Sequence, residues 1–216
     1  MHNRFKKFAL AIVCCAGMLL LSACGARVRE VDYFKNLDKT VVTVDGTQYT
    51  LRDLAIYIAY QEAMVQEDAL LYDPEEPMRY WNVHTNGEFI RVRARNEAMD
   101  SAVHDIIFLQ MAKADKVELD AEEEEFALST YGDFWDDMSD EQRDLLGGLY
   151  GDMKREALEM ALAQKYQVVY AAMEDSDPEE YDKDGQAYLE MMDSHDIDID
   201  QNLWKGIGFG HVTLIY

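Results

Sequence analysis

Asp196, Asp198 and Asp200 are spaced like the first three oxygen ligands of a helix–loop–helix calcium site, so they are the first residues to test for chemistry. The sixth position of such a loop needs glycine for its sharp turn and here is Gln201; the twelfth needs a bidentate glutamate and here is Ile207. Ile197 and Ile199 alternate with the aspartates, and a half-buried strand explains the same residues. Gly206, Gly208 and Gly210 would suit a phosphate cradle only with a helix N-terminus behind them, and no helical pattern follows. His84, His104, His195 and His211 lack the paired spacing on one helix that zinc uses. No serine stands in a nucleophile elbow, and with 43 Asp and Glu residues paired carboxylates single out nothing. These residues name no catalytic group, no metal ligand and no cofactor site.

Cysteine leads further. Arg4, Lys6 and Lys7 precede an apolar run from Phe8 to Leu21 that is short for a membrane span, which is the pattern of an export signal. The run ends in Leu21-Ser22-Ala23-Cys24-Gly25, which resembles the lipobox of bacterial lipoproteins. That resemblance implies cleavage before Cys24, lipid on its thiol, and a cell-membrane location on the extracytoplasmic face. Cys14 and Cys15 would leave with the signal, so no thiol or disulfide chemistry remains for the rest of the chain. Loss of residues 1–23 removes three basic and no acidic residues, taking the formal charge from −23 to −26. Such a body repels nucleic acid and anionic bilayers, and attracts cationic or unfolded polypeptide.

The elements behind these residues read as mainly α. Residues 24–39 have mixed charge and no periodicity, and are expected to form a tether; 40–216 form the folded domain. Val41 to Val44 and Thr47 to Thr50 flank Asp45-Gly46, the signature of a tight hairpin. Thr50 with Asp53 then opens a helix to about Leu71, with Leu51, Leu54, Ala55, Ile58 and Ala59 inward. Tyr72 to Gly87 holds Pro74, Pro77 and Trp81 and reads as a loop or short helical turn. A helix follows over about Glu88 to Asp115, with Val92, Met99, Val103, Ile106 and Ile107 inward and Arg91 and Arg95 on a solvated face. Asp120 with Glu123, and Ser139 with Gln142, form capping boxes for two more helices. A long helix runs from Gly151 to about Met173, with Leu158, Ala161, Leu162, Val169 and Ala172 inward. Pro178 opens a last helix, and Val212 to Tyr216 is expected to be a C-terminal strand that joins the hairpin.

The order of these pieces resembles the SurA/trigger-factor-type N-terminal chaperone domain of PrsA-like peptidyl-prolyl isomerase lipoproteins. Val42-Thr43-Val44-Asp45-Gly46 through Thr50-Leu51-Arg52-Asp53 is similar to that family's strand, "V-N-G" turn and capped first helix. Ile106 to Lys113 followed by Lys116 to Glu124 is similar to its next helix and linker, so the likeness covers roughly Thr40 to Met173. It implies a SurA-like helical fold and binding of unfolded or newly exported polypeptide as a holdase. The parvulin domain that carries isomerase activity in the family is not visible after Met173, and catalysis is not expected.

A client surface must be apolar and adaptable. Methionine suits this, and Met138, Met153 and Met160, with Trp81 in its loop, are the candidate client-binding residues; Trp204 is expected to anchor the tail. Two alternatives stay open: a non-catalytic subunit docking on one envelope protein, and a family member with residual isomerase activity.

Overall fold

The hairpin begins where Val41, Val42 and Val44 leave water altogether. A computed structural model describes residues 29–215, with β1 at Thr40–Val44 and β2 at Thr47–Thr50. Asp45 and Gly46 both take positive φ, 49° and 78°, as a two-residue turn matched to strand twist requires. Asp45 tolerates this because its side chain is fixed: Oδ2 lies 2.6 Å from His195 Nδ1, and Oδ1 accepts the Asp196 N–H at 2.9 Å. The His195 contact, then the Asp196 amide, holds the Asp45 carboxyl below the usual carboxylate range. These bonds deliver β5, Ile197–Ile199, to the free edge of β1, with Val44 opposite Ile197 and Val42 opposite Ile199. The sheet order is β2-β1-β5, all antiparallel. The alternating Asp/Ile segment is therefore the strand its pattern predicts.

The rest is mainly helical: α1 Ala55–Tyr72, a one-turn α2 Met78–Trp81, α3 Ile90–Asp115, α4 Ala121–Asp136, α5 Asp140–Leu146, α6 Tyr150–Met173, α7 Gln186–Met192 and α8 Gln201–Lys205. A minimal hairpin, β3 His84–Thr85 with β4 Glu88–Phe89, separates α2 from α3. Helix α1 is buried on all sides over Ala55 to Ala59, and α3 and α6 pack against it. Thr50 and Asp53 do meet, the Thr50 N–H and hydroxyl both donating to Asp53 Oδ2, but they close a turn and the helix starts one turn later, at Ala55. Both capping boxes form as spaced, Asp120 with Glu123 and Ser139 with Gln142. Ala94, Ala98 and Ala102, all buried, repeat every four residues along α3 and let neighbouring helices approach closely. Among the described residues no helix is long and apolar enough to cross a membrane.

Several expectations are corrected. The tether expected over residues 24–39 extends too far, because the chain joins the fold from Val31: Val31 bridges Ile207, and buried Tyr33 donates its hydroxyl to Leu51 O at 3.0 Å. Arg91 and Arg95 do not share a solvated face. Arg91 donates to Trp81 O and Asn82 Oδ1, and Arg95 to Lys205 O, so they fasten the C-terminal ends of α2 and α8 to α3. The inward face of α6 is Met153, Glu156, Ala163, Tyr166, Gln167 and Ala171, rotated from the expected stripe. Pro178 opens only a 3-10 turn to Tyr181, and α7 starts at Gln186.

The expected strand at Val212–Tyr216 is absent over its described part, 212–215, and the hairpin's third strand is β5 instead. The tail's amides have another acceptor. Glu62, on α1 and wholly buried, accepts the N–H of Gly210 at 2.6 Å and of Val212 at 3.1 Å on Oε1, and the N–H and hydroxyl of Thr213 at 2.6 Å each on Oε2. Gly210 has φ +102°, and a Cβ there would lie 2.8 Å from the Trp81 ring, so glycine is required. Trp204 anchors the segment as expected, edge-on to Phe209 at 5.6 Å.

Candidate functional site

Helices α4 and α6 pack along each other, and the side chains between them are small where they meet. Ala127 on α4 and Ala157 and Ala161 on α6 leave a hollow that larger residues would fill, and Tyr60 from α1 closes its floor. Tyr60 is held by stacking on Phe134, with ring centroids 4.0 Å apart. The result is an open groove of about 570 Å³, lined further by Leu119, Phe126, Thr130, Met160 and Val168. Phe126 is 76% exposed and Val168 54%, so two large apolar side chains stand in water at its edge. Isolated surface apolar residues need no explanation; here they share one groove with Thr130, Gln164 and the charged side chains at its end.

Charge frames one end. Glu122 and Glu123 belong to the lining, at the start of α4, where the helix dipole and the Asp120 capping box favour carboxylates. Lys165 reaches from α6 to donate to Glu123 Oε2 at 2.6 Å and Glu118 O at 2.9 Å, tying the α3–α4 linker to α6. That hydrogen bond holds the Glu123 carboxyl below its ordinary range. The groove offers apolar contact, one methionine that can change shape, and an end where Glu122 stands beside the Glu123–Lys165 pair. Among the described residues no group of three or more His, Cys, Asp or Glu is placed to hold a metal ion.

Of the residues named from sequence, Met160 lies in this groove. Met138 is partly buried against the core. Met153 is 0% exposed and packs in the core, which corrects its assignment to a client surface. Trp81 is corrected likewise: it is 0% exposed, its ring lies against Gly210 and its Nε1–H faces Gln66 Oε1 at 3.4 Å, so the loop that carries it turns it inward. Cys24 lies outside the described residues. Sequence reasoning missed Phe126, Val168, Tyr60 and the three alanines. The available signal was Phe126 itself, an aromatic directly after four glutamates, on the polar side of an amphipathic helix.

No protein-family model, no curated protein and no solved structure matches the chain, so a functional reading rests on its own residues.

Proposed function

We propose that the protein is a non-catalytic holdase that keeps unfolded or newly exported polypeptides soluble, held by lipid on Cys24 at the extracytoplasmic face of a cell membrane. The observation that carries this reading is the α4–α6 groove: about 570 Å³, lined largely by apolar side chains, with Glu122 and the paired Glu123 and Lys165 at one end. An unfolded chain offers apolar side chains in no fixed register, and a groove with exposed Phe126, Val168 and a flexible Met160 accepts these without demanding one sequence. The formal charge of −26 that remains after loss of residues 1–23 adds attraction for basic segments and keeps the loaded protein soluble.

The test is binding of a fluorescent, permanently unfolded basic polypeptide, and of the same polypeptide in folded form, to the full chain in nanodiscs of neutral lipid. Micromolar binding of the unfolded form alone, weakened by salt and by Phe126→Ser, is the expected result. Equal binding of both forms, or of neither, overturns the holdase reading.

A further inference from the structure

Helices α4 and α6 run antiparallel along the groove: Lys165 of α6 meets Glu123 at the start of α4, and the Tyr131 hydroxyl of α4 donates to Tyr150 O at the start of α6 at 3.0 Å. The lining spans Glu122 to Thr130 on one helix and Ala157 to Val168 on the other, about 12 Å and about 16 Å of axis at roughly 1.5 Å per residue. That leaves space for about two to three helical turns, or for about five residues of extended chain.

These two forms of chain meet the walls differently. Both walls are helices, whose backbone N–H and C=O groups are bonded within each helix, so the groove presents no row of free donors and acceptors as a sheet edge does. Its polar side chains are largely engaged as well. The Thr130 hydroxyl donates to Phe126 O at 3.0 Å, Glu123 accepts the Asp120 N–H at 2.7 Å and Lys165 at 2.6 Å, and Lys165 donates also to Glu118 O. Tyr60, Glu122 and Gln164 are the polar side chains of the lining that remain. An extended segment would lay unpaired backbone groups against apolar side chains, at a cost for each one buried. A helix brings its backbone bonds already made and offers side chains alone.

The floor has the relief a helix needs. Ala157 and Ala161 lie one turn apart on α6, and with Ala127 on α4 they let a third helix approach to the roughly 8–10 Å at which helix axes pack. Charge sets the rest. At the start of α4 the exposed Glu122, Glu124 and Glu125 stand with Glu123, while Lys165 is the one cation among the described lining residues, so positive charge on an occupant is favoured at that end.

We propose that the groove takes its occupant as an amphipathic α-helix, apolar along one stripe and basic where it lies over the start of α4, which an unfolded client forms as it docks. This rests on the holdase reading and names the form of client that reading captures. A helix this short is marginal in water, and the groove supplies the apolar packing it lacks. Selection is then by period and charge: large apolar residues every three to four positions, with lysine or arginine between them.

The test titrates the full chain in nanodiscs of neutral lipid, with empty nanodiscs as the blank, against three synthetic peptides about four turns long. The first carries leucine at helical spacing and lysine at the remaining positions; the second has the same composition with leucine and lysine alternating; the third is the first with glutamate for lysine. Micromolar binding of the first is expected, with the other two at least tenfold weaker, and with the Cα shifts of the isotope-labelled first peptide moving to helical values when bound. The second peptide has the same charge as the first, so attraction to the acidic body does not account for a difference between them. Ala161→Leu, which fills the floor, is expected to weaken the first peptide at least tenfold; should that variant fail to fold, Phe126→Ser, at an exposed position, is expected to weaken it several-fold. Equal binding of the alternating or the glutamate peptide, a bound peptide without helical shifts, or no effect of either substitution overturns the helix inference and leaves capture of unfolded polypeptide to stand by itself. Preference for the helical peptide without capture of unfolded polypeptide supports the helix site and overturns the holdase reading instead.

Discussion

Glu62 and Glu156 are both carboxylates inside the molecule, and they differ in the donors they face. Glu62 takes four hydrogen bonds from Gly210, Val212 and Thr213. Burial still raises its carboxyl, and those donors offset part of the rise. Replacing it with alanine leaves three buried amides without an acceptor, and Glu62→Ala is expected to cost about 3–5 kcal/mol in urea unfolding, with Glu62→Gln costing less. Glu156, with one amide and only a 3.6 Å ion pair to Arg155 against its burial, works against the fold when charged. Its folded value of about 8 stands above the ordinary 4.5, so between these pH values the folded protein holds a proton that the unfolded chain has lost. Stability therefore falls as pH rises through this window and is regained on acidification, by about 2 kcal/mol between pH 8.5 and pH 6. Relief of repulsion among the many carboxylates acts in the same direction. The difference between wild type and Glu156→Gln, which is expected to flatten the profile, isolates the single group.

Elements set which residues reach the surface. Helix α4 buries only Ala127 and Tyr131, and is held at its start by the Asp120–Glu123 box and the Lys165 bridge. Asp120→Ala is expected to cost about 1 kcal/mol and to loosen the acidic end of the groove, measured as a lower unfolding midpoint and faster amide exchange over residues 121–124. Phe126→Ser should leave stability within about 0.5 kcal/mol, since the ring is in water, while weakening capture of unfolded polypeptide several-fold. That separation of stability from binding distinguishes a client surface from a packing residue. Helix α6 serves the core and the groove at once, and this is why no single stripe of its sequence is uniformly apolar.

At the scale of the molecule the C-terminal segment is a strap. It brings Trp204 and Phe209 onto the core, lays Gly206 O against the Val31 amide, and seats residues 210–213 on Glu62. Removing residues 206–216 would bare Glu62 and the face of Trp81 together. The truncated protein is expected to lose at least about 3 kcal/mol and to expose tryptophan to quenchers that wild type excludes. The overall negative charge acts over longer distances, so polypeptide capture by the groove is expected to weaken from low to moderate salt as screening shortens its reach.

Local rules written in adjacent residues were legible from sequence alone. Asp45-Gly46 forms the turn, Asp120 and Ser139 form their capping boxes, Ile197 and Ile199 alternate into a strand, and the mainly helical class with a small hairpin follows from them. Met160, named from sequence for its soft, adaptable side chain, lies in the α4–α6 groove. What tertiary structure decided were contacts between distant segments. Trp81 and Met153 are buried because Gly210 and the neighbouring helices cover them, which no window of sequence around either residue records. The 212–215 segment reads as a strand by pattern, yet its amides are taken by a carboxylate about 150 positions away, and hydrogen-bond donors buried in a fold go to the acceptor that geometry supplies. The same holds for the groove: three alanines and one tyrosine carry no signal singly, and line one hollow only where α1, α4 and α6 set the space between them.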